Sequence, residues 1–152
     1  MQLGGSVARR SPRSARDLRR KRGQRPPYDR VLIVCEGKKT EPQYLEEIRK
    51  INRVPPVHVR VVHAGRTQPR QIVDDAEALF NESREYEHVY AVFDRDDHAT
   101  YHNALTRAEQ LDNTLRNDEK KLVRFFAVPS VPCFELWLLL HFENVLAFFF
   151  AQ

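Results

Sequence analysis

The run VLIVCEG at residues 31–37 decides the fold. Val31 to Cys35 is short, uncharged and continuously apolar, which suits a strand buried on both faces, as in a parallel sheet. Glu36-Gly37 breaks it. Thr40-Glu41-Pro42 then reads as a helix start with proline at an early helical position. Tyr44, Leu45, Ile48 and Ile51 follow at helical spacing, and Pro55-Pro56 stops the stripe.

The same alternation repeats down the chain. Val57, Val59 and Val61 alternate with His58 and Arg60, giving a second strand that ends before Gly65. Thr67 or Gln68 can cap a helix with Pro69 near its first position, and Ile72, Val73, Ala76, Leu79 and Phe80 form its apolar face. His88 to Phe93 is a third strand. Ala104, Leu105, Ala108, Leu111 and Leu115 mark a third helix, Leu122 to Val128 a fourth strand, and Phe134 to Leu140 a last helix after Pro132. This β-α-β-α order predicts an α/β domain, a parallel β-sheet with alternating helices joined by right-handed crossovers.

At 152 residues the chain has the length of one domain and can bury a real core. No stretch of about 18 uninterrupted apolar residues is present, so a spanning helix is not expected. Nor does a secretory signal pattern open the chain. Cys35 and Cys133 sit in apolar segments without a CxxC or Cys-His pattern, so packing thiols and a reducing, cytoplasmic setting are expected.

The formal charge of +4 hides a division. Residues 1–28 hold Arg9, Arg10, Arg13, Arg16, Arg19, Arg20, Lys21, Arg22 and Arg25 against Asp17 alone, a charge of +8, which leaves −4 for residues 29–152. The arm lacks apolar periodicity and reads as disordered in isolation. Its arginines suit a phosphate backbone, with counterion release as the driving term. A solubilising tail, or contact with an acidic protein, is the plainer alternative.

In a parallel sheet, ligands bind at the carboxyl ends of the strands, near the point where strand order reverses. Glu36 ends the first strand there, and Asp94, Asp96 and Asp97 follow the third. Carboxylates gathered at one edge repel unless a cation lies between them. Oxygen ligands without a His or Cys partner favour Mg²⁺ or Mn²⁺ over zinc. The alternative is that these acids cap helices or sit in a solvated loop. His98 beside them is a candidate proton relay or phosphate ligand, or a surface histidine. Lys38 and Lys39 could contact phosphate at the following helix N-terminus, or simply be solvated. Gly37-Lys38-Lys39-Thr40 lacks the upstream glycine of a P-loop. Arg66 and Arg70 flank a turn near the strand ends and are further phosphate candidates. Trp137 lies among leucines and reads as core.

Three segments carry a family resemblance. Ile33-Val34-Cys35-Glu36-Gly37 with Thr40-Glu41-Pro42 and Tyr44, Phe93-Asp94-Arg95-Asp96-Asp97-His98, and Pro132-Cys133-Phe134-Glu135-Leu136-Trp137 together resemble RloB-like proteins from about Arg30 to Glu143. The resemblance implies a Toprim-like fold, a place in prokaryotic restriction or abortive-infection (phage-defence) loci, and an ATPase partner, which one family member has. It matches Glu36 to the Toprim glutamate, a proposed general acid/base and metal ligand, and Asp94 and Asp96 to the metal-binding pair. Glu135 belongs to the RloB-like pattern and could approach the site from its helix. The implied activity is Mg²⁺-dependent phosphodiester hydrolysis. A non-catalytic module binding nucleic acid or an ATPase is the alternative. A receiver domain fits less well, since it would place its acidic pair after the first strand. RloB-like chains continue past the Trp-containing helix, whereas this sequence runs from Asn144 to Gln152 and stops. The expectation is a Toprim-like domain over residues 29–152 whose C-terminal part is incomplete, which leaves both an active and an inactive nuclease open.

Overall fold

The computed structural model describes residues 28–95 and 99–142. The basic arm up to Pro27, the segment Asp96 to His98 and residues 143–152 lie outside the described residues, and with them the arm's arginines and three of the candidate site residues.

Eight elements alternate as expected: β1 (Val31–Cys35), α1 (Thr40–Ile51), β2 (Val59–His63), α2 (Pro69–Ser83), β3 (His88–Asp94), α3 (Tyr101–Leu111), β4 (Arg124–Ser130) and α4 (Phe134–Leu139). The strands form one sheet in the order β2-β1-β3-β4. All three pairings are parallel, with Val31 facing Val59 and His88, and His88 facing Arg124. The fold is therefore a four-stranded parallel α/β sheet. Its helices divide between the faces for a topological reason. The chain leaves β1 for β2 on one side, then returns past β1 to β3 and β4 on the other. Right-handed crossovers put α1 on one face and α2 with α3 on the opposite one.

The face under α2 and α3 is the core. Leu32, Val34, Val89, Ala91, Phe93 and Phe125 point into it by the two-residue alternation of strands. They meet Ile72, Val73, Ala76 and Phe80 of α2 and Ala104, Ala108 and Leu111 of α3. The other face is only partly covered. Cys35 and Val92 are buried there, but Ile33, Tyr90 and Phe126 are half-buried and Val128 is exposed. Tyr90 and Phe126 stack on it, with ring centroids 5.2 Å apart. Burial on both faces of β1 thus holds at its Cys35 end and weakens at Ile33.

Local chemistry sets the element ends. Pro69 stands in the first turn of α2 after an extended Gln68, and Arg84 closes the helix in a left-handed conformation, its N–H donating to Phe80 O at 2.7 Å. β2 starts at Val59 rather than Val57, because His58 N–H donates to Pro55 O and keeps the preceding residues in a turn. α3 stops at Leu111 rather than Leu115. Asp112 turns extended, and its carboxylate accepts Phe125 N–H at 2.9 Å, tying the helix end to β4. β4 is shifted by two residues from the pattern, since Leu122 makes an isolated antiparallel bridge with Arg116. Trp137 is 55% exposed and is not core. α4 is only six residues long, and Phe134 is its buried side chain. The described residues include no helix long and apolar enough to cross a membrane. Both cysteines are free.

Candidate functional site

The strand order reverses between β1 and β3, so the crevice beyond their carboxyl ends is where a ligand of such a sheet is expected. Glu36 and Asp94 stand on its two sides. Glu36 continues the ladder by donating its N–H to Val92 O at 2.9 Å. Its side chain then crosses the crevice, and Oε2 accepts the backbone N–H of Asp94 at 3.0 Å. One carboxylate therefore leans on the strand end that carries the other.

Asp94 follows Phe93, which points into the core, so its own side chain turns to the opposite face. There Oδ1 accepts the N–H of Phe134, the first residue of α4, at 2.9 Å. This bond favours the charged form, yet burial outweighs it. Burial, with added repulsion from Glu36, Glu41 and Glu135, pushes the Asp94 carboxyl up to about 6.

Glu41 is the residue of this group that the sequence pattern does not single out. It lies in the first turn of α1 and is 6% exposed. Its Oε1 accepts Gly37 N–H at 3.1 Å. Glu135, in the first turn of α4, is exposed and acts on Asp94 through its charge. These are hard oxygen donors of the kind that hold Mg²⁺ or Mn²⁺. Among the described residues no group of three or more His, Cys, Asp or Glu is arranged to hold a metal ion. Asp96, Asp97 and His98 are outside that set.

Cationic side chains rim the acids. Lys38 and Lys39 are exposed on the β1–α1 loop, and no ion pair engages them among the described residues. Arg95 is exposed beside Asp94. Its guanidinium lies over the Tyr101 ring, 5.7 Å from the centroid, while its N–H donates to Ser130 O. The pattern Asp-Arg-Asp held that signal, but attention to the acids hides it. Arg66 and Arg70 are already engaged, Arg66 with Asp75 at 3.5 Å and Arg70 with Asp74 at 3.0 Å. A polar pair also closes α1 against α4. Tyr44 OH and His141 Nε2 are 2.7 Å apart, and the Tyr44 ring meets Phe134 edge-on at 5.4 Å.

The RloB-like protein family matches this sequence over residues 31–149, from the first residue of β1 through all eight elements. The chain belongs to the RloB-like family. No curated protein and no solved structure matches it. The family match runs past Glu143, where the motif resemblance ends, and leaves the basic arm outside. The RloB-like motifs, distant in sequence, adjoin in the fold. The first ends β1 and opens α1, the second ends β3, and the third opens α4. The bonds Asp94 to Glu36 and Phe134 to Asp94 join one motif to the next.

Proposed function

We propose that this RloB-like protein is a Mg²⁺-dependent nuclease that hydrolyses phosphodiester bonds of DNA or RNA, acting in prokaryotic defence alongside an ATPase. One relationship carries the reading. Glu36 and Asp94 meet across the switch point of a parallel sheet, and Asp94 is raised to about 6 by burial and by neighbouring acids. A carboxylate held in that state gains from a divalent cation. The likeness of Glu36 and of Asp94 with Asp96 to the Toprim glutamate and aspartate pair supports the same assignment.

Asp94 and Asp96 would hold the ion, with Glu36, Asp97 and Glu135 as further oxygen donors. When bound, Mg²⁺ or Mn²⁺ would polarise a phosphoryl oxygen and lower the pKa of an attacking water. Glu36, held with Oε2 on the Asp94 amide, would accept the proton of that water. His98 would return a proton to the leaving oxygen. Lys38, Lys39 and Arg95 neutralise the phosphate entering the crevice. Arg66 and Arg70, being paired with aspartates, would contribute only after exchanging those partners. The arm from Arg9 to Arg25 adds contacts along the strand.

A second reading has its own observation. Trp137, Leu139, Leu140 and Phe142 are all more than half exposed on and just after α4, next to the acids. A non-catalytic module would use that apolar face for an ATPase partner, and the acids for its basic groups.

Purified protein incubated with plasmid DNA and with single-stranded RNA, in Mg²⁺ or in EDTA, separates the two. Cleavage that needs the metal and is lost in Glu36→Gln and Asp94→Asn supports the nuclease. Binding without cleavage in either condition supports the module.

A further inference from the structure

Gly37 is a glycine for a reason other than backbone freedom. Among the described residues, the glycine with left-handed backbone is Gly65, at φ 73°. At Gly37 the space a side chain would fill is taken by another residue. A Cβ built there would lie 1.7 Å from Glu41 Oε2 and 2.5 Å from Glu41 Cδ. The Glu41 carboxylate thus rests on the Gly37 backbone, with Oε1 on its N–H.

That placement brings like charges together. Glu41 is 6% exposed and adds repulsion to Asp94. Its charge is offset by the Gly37 N–H and by the positive end of α1. A residue serving only to fill this space would be cheaper as an apolar one. What the carboxylate supplies is a fixed acceptor for the amide that follows Glu36. With Glu36 N–H on Val92 O and Gly37 N–H on Glu41, the residue between is held on both sides. Its side chain is left to bond the Asp94 amide.

We propose that Glu41 is the positioning residue of the site, clamping the Glu36-Gly37 turn so that the Glu36 carboxylate is held on the Asp94 backbone amide. This deepens the nuclease reading and rests on it for its chemical meaning. The clamp itself is tested without catalysis.

Amide hydrogen exchange of the ¹⁵N-labelled full chain reads the two bonds directly. In Glu41→Ala, exchange at Gly37 and at Asp94 rises about tenfold, the scale of one broken hydrogen bond. The interior amides of Ile33 and Ala91 stay protected. Glu41→Gln keeps an acceptor and keeps both amides slow. Gly37→Ala is expected to fold but to push the flexible Glu41 carboxylate aside and so release both amides, as Glu41→Ala does. The proposal is overturned if Asp94 exchange is unchanged in Glu41→Ala, or if Ile33 and Ala91 lose protection to the same degree. A cleavage assay on the same variants adds a second reading. Glu41→Ala lowers kcat about tenfold or more with KM little changed, and Glu41→Gln restores most of it. Wild-type protein that never cleaves, but whose Asp94 amide is released in Glu41→Ala, defeats the nuclease reading and leaves the clamp standing.

Discussion

Asp94 caps the helix that follows the neighbouring strand. Its Oδ1 takes the N–H of Phe134 at 2.9 Å, so the residue ending β3 also starts α4. The pull of that bond opposes the burial and repulsion that raise its carboxyl, and the two sides can be separated by substitution.

Asp94→Asn keeps an oxygen for Phe134 and removes the charge, whereas Asp94→Ala removes both. In EDTA at pH 7.5 the asparagine variant is expected to melt at or above wild type. The alanine variant is expected to lose the cap, worth about 1 kcal/mol or a fall of about 2–4 °C relative to asparagine. Thermal melts followed by circular dichroism decide it, and equal melting of the two variants would show that the cap carries no stability.

The pH dependence has a defined sign. Asp94 is raised to about 6 in the fold, above its ordinary 3.8. Its stabilising neutral form is fully present below about pH 4, and that contribution is lost as pH rises through 6. Metal-free wild type should therefore lose stability relative to Asp94→Asn between pH 4 and pH 6, with the difference levelling above pH 7. Mg²⁺ should raise the wild-type melting temperature more at pH 7.5 than at pH 5, and raise that of Asp94→Asn less. A wild-type-minus-variant difference that is flat from pH 4 to pH 8 contradicts this.

The two thiols should separate cleanly. Burial, and then the charge of Glu41, pushes the Cys35 thiol up to about 12, while Cys133 lies half-buried before α4. The thiolate is the reactive form. Native protein treated with N-ethylmaleimide at pH 8 is expected to carry one label, on Cys133, and denatured protein two. Mass spectrometry reads both, and prompt native labelling of Cys35 would contradict its placement.

Removing residues 1–27 takes away nine arginine and lysine side chains and leaves every described element. Affinity for single- or double-stranded nucleic acid should fall, and the dependence of log K on log salt should flatten by about 0.7–0.9 for each phosphate that the arm had neutralised. An unchanged salt slope means that the arm touches no phosphates.

Much of this was legible in the chain because it is written locally. Two-residue and helical periodicities mark the strands and helices, and a strand end is where a parallel sheet exposes its acids, which located Glu36 and Asp94. Glu41 escaped because its position after Thr40 also satisfies an ordinary helix start. Its bond to Gly37 depends on a close approach that only the folded turn displays. The Arg70–Asp74 pair follows the helical i,i+4 spacing and was readable in the sequence, whereas Arg66 reaches Asp75 from the loop before α2, which periodicity does not report. Trp137 looked buried because its neighbours are apolar, yet a six-residue helix anchored by Phe134 leaves most of those neighbours at the surface.

β1 is paired on both sides, and its two partners arrive at different times. β2 begins 28 residues after the start of β1, and β3 begins 57 residues after it. The bond between Glu36 and Asp94 spans 58 residues of chain. Closing so long a loop is entropically slower than forming the hairpin-like neighbours of a local fold. During synthesis, Glu36 lacks its counterpart until β3 has been made, even when β1, α1 and β2 have already left the ribosome. The acid pair comes into being only when the third strand slots in beside the first. Any activity that needs both carboxylates is therefore withheld from the nascent polypeptide by topology alone.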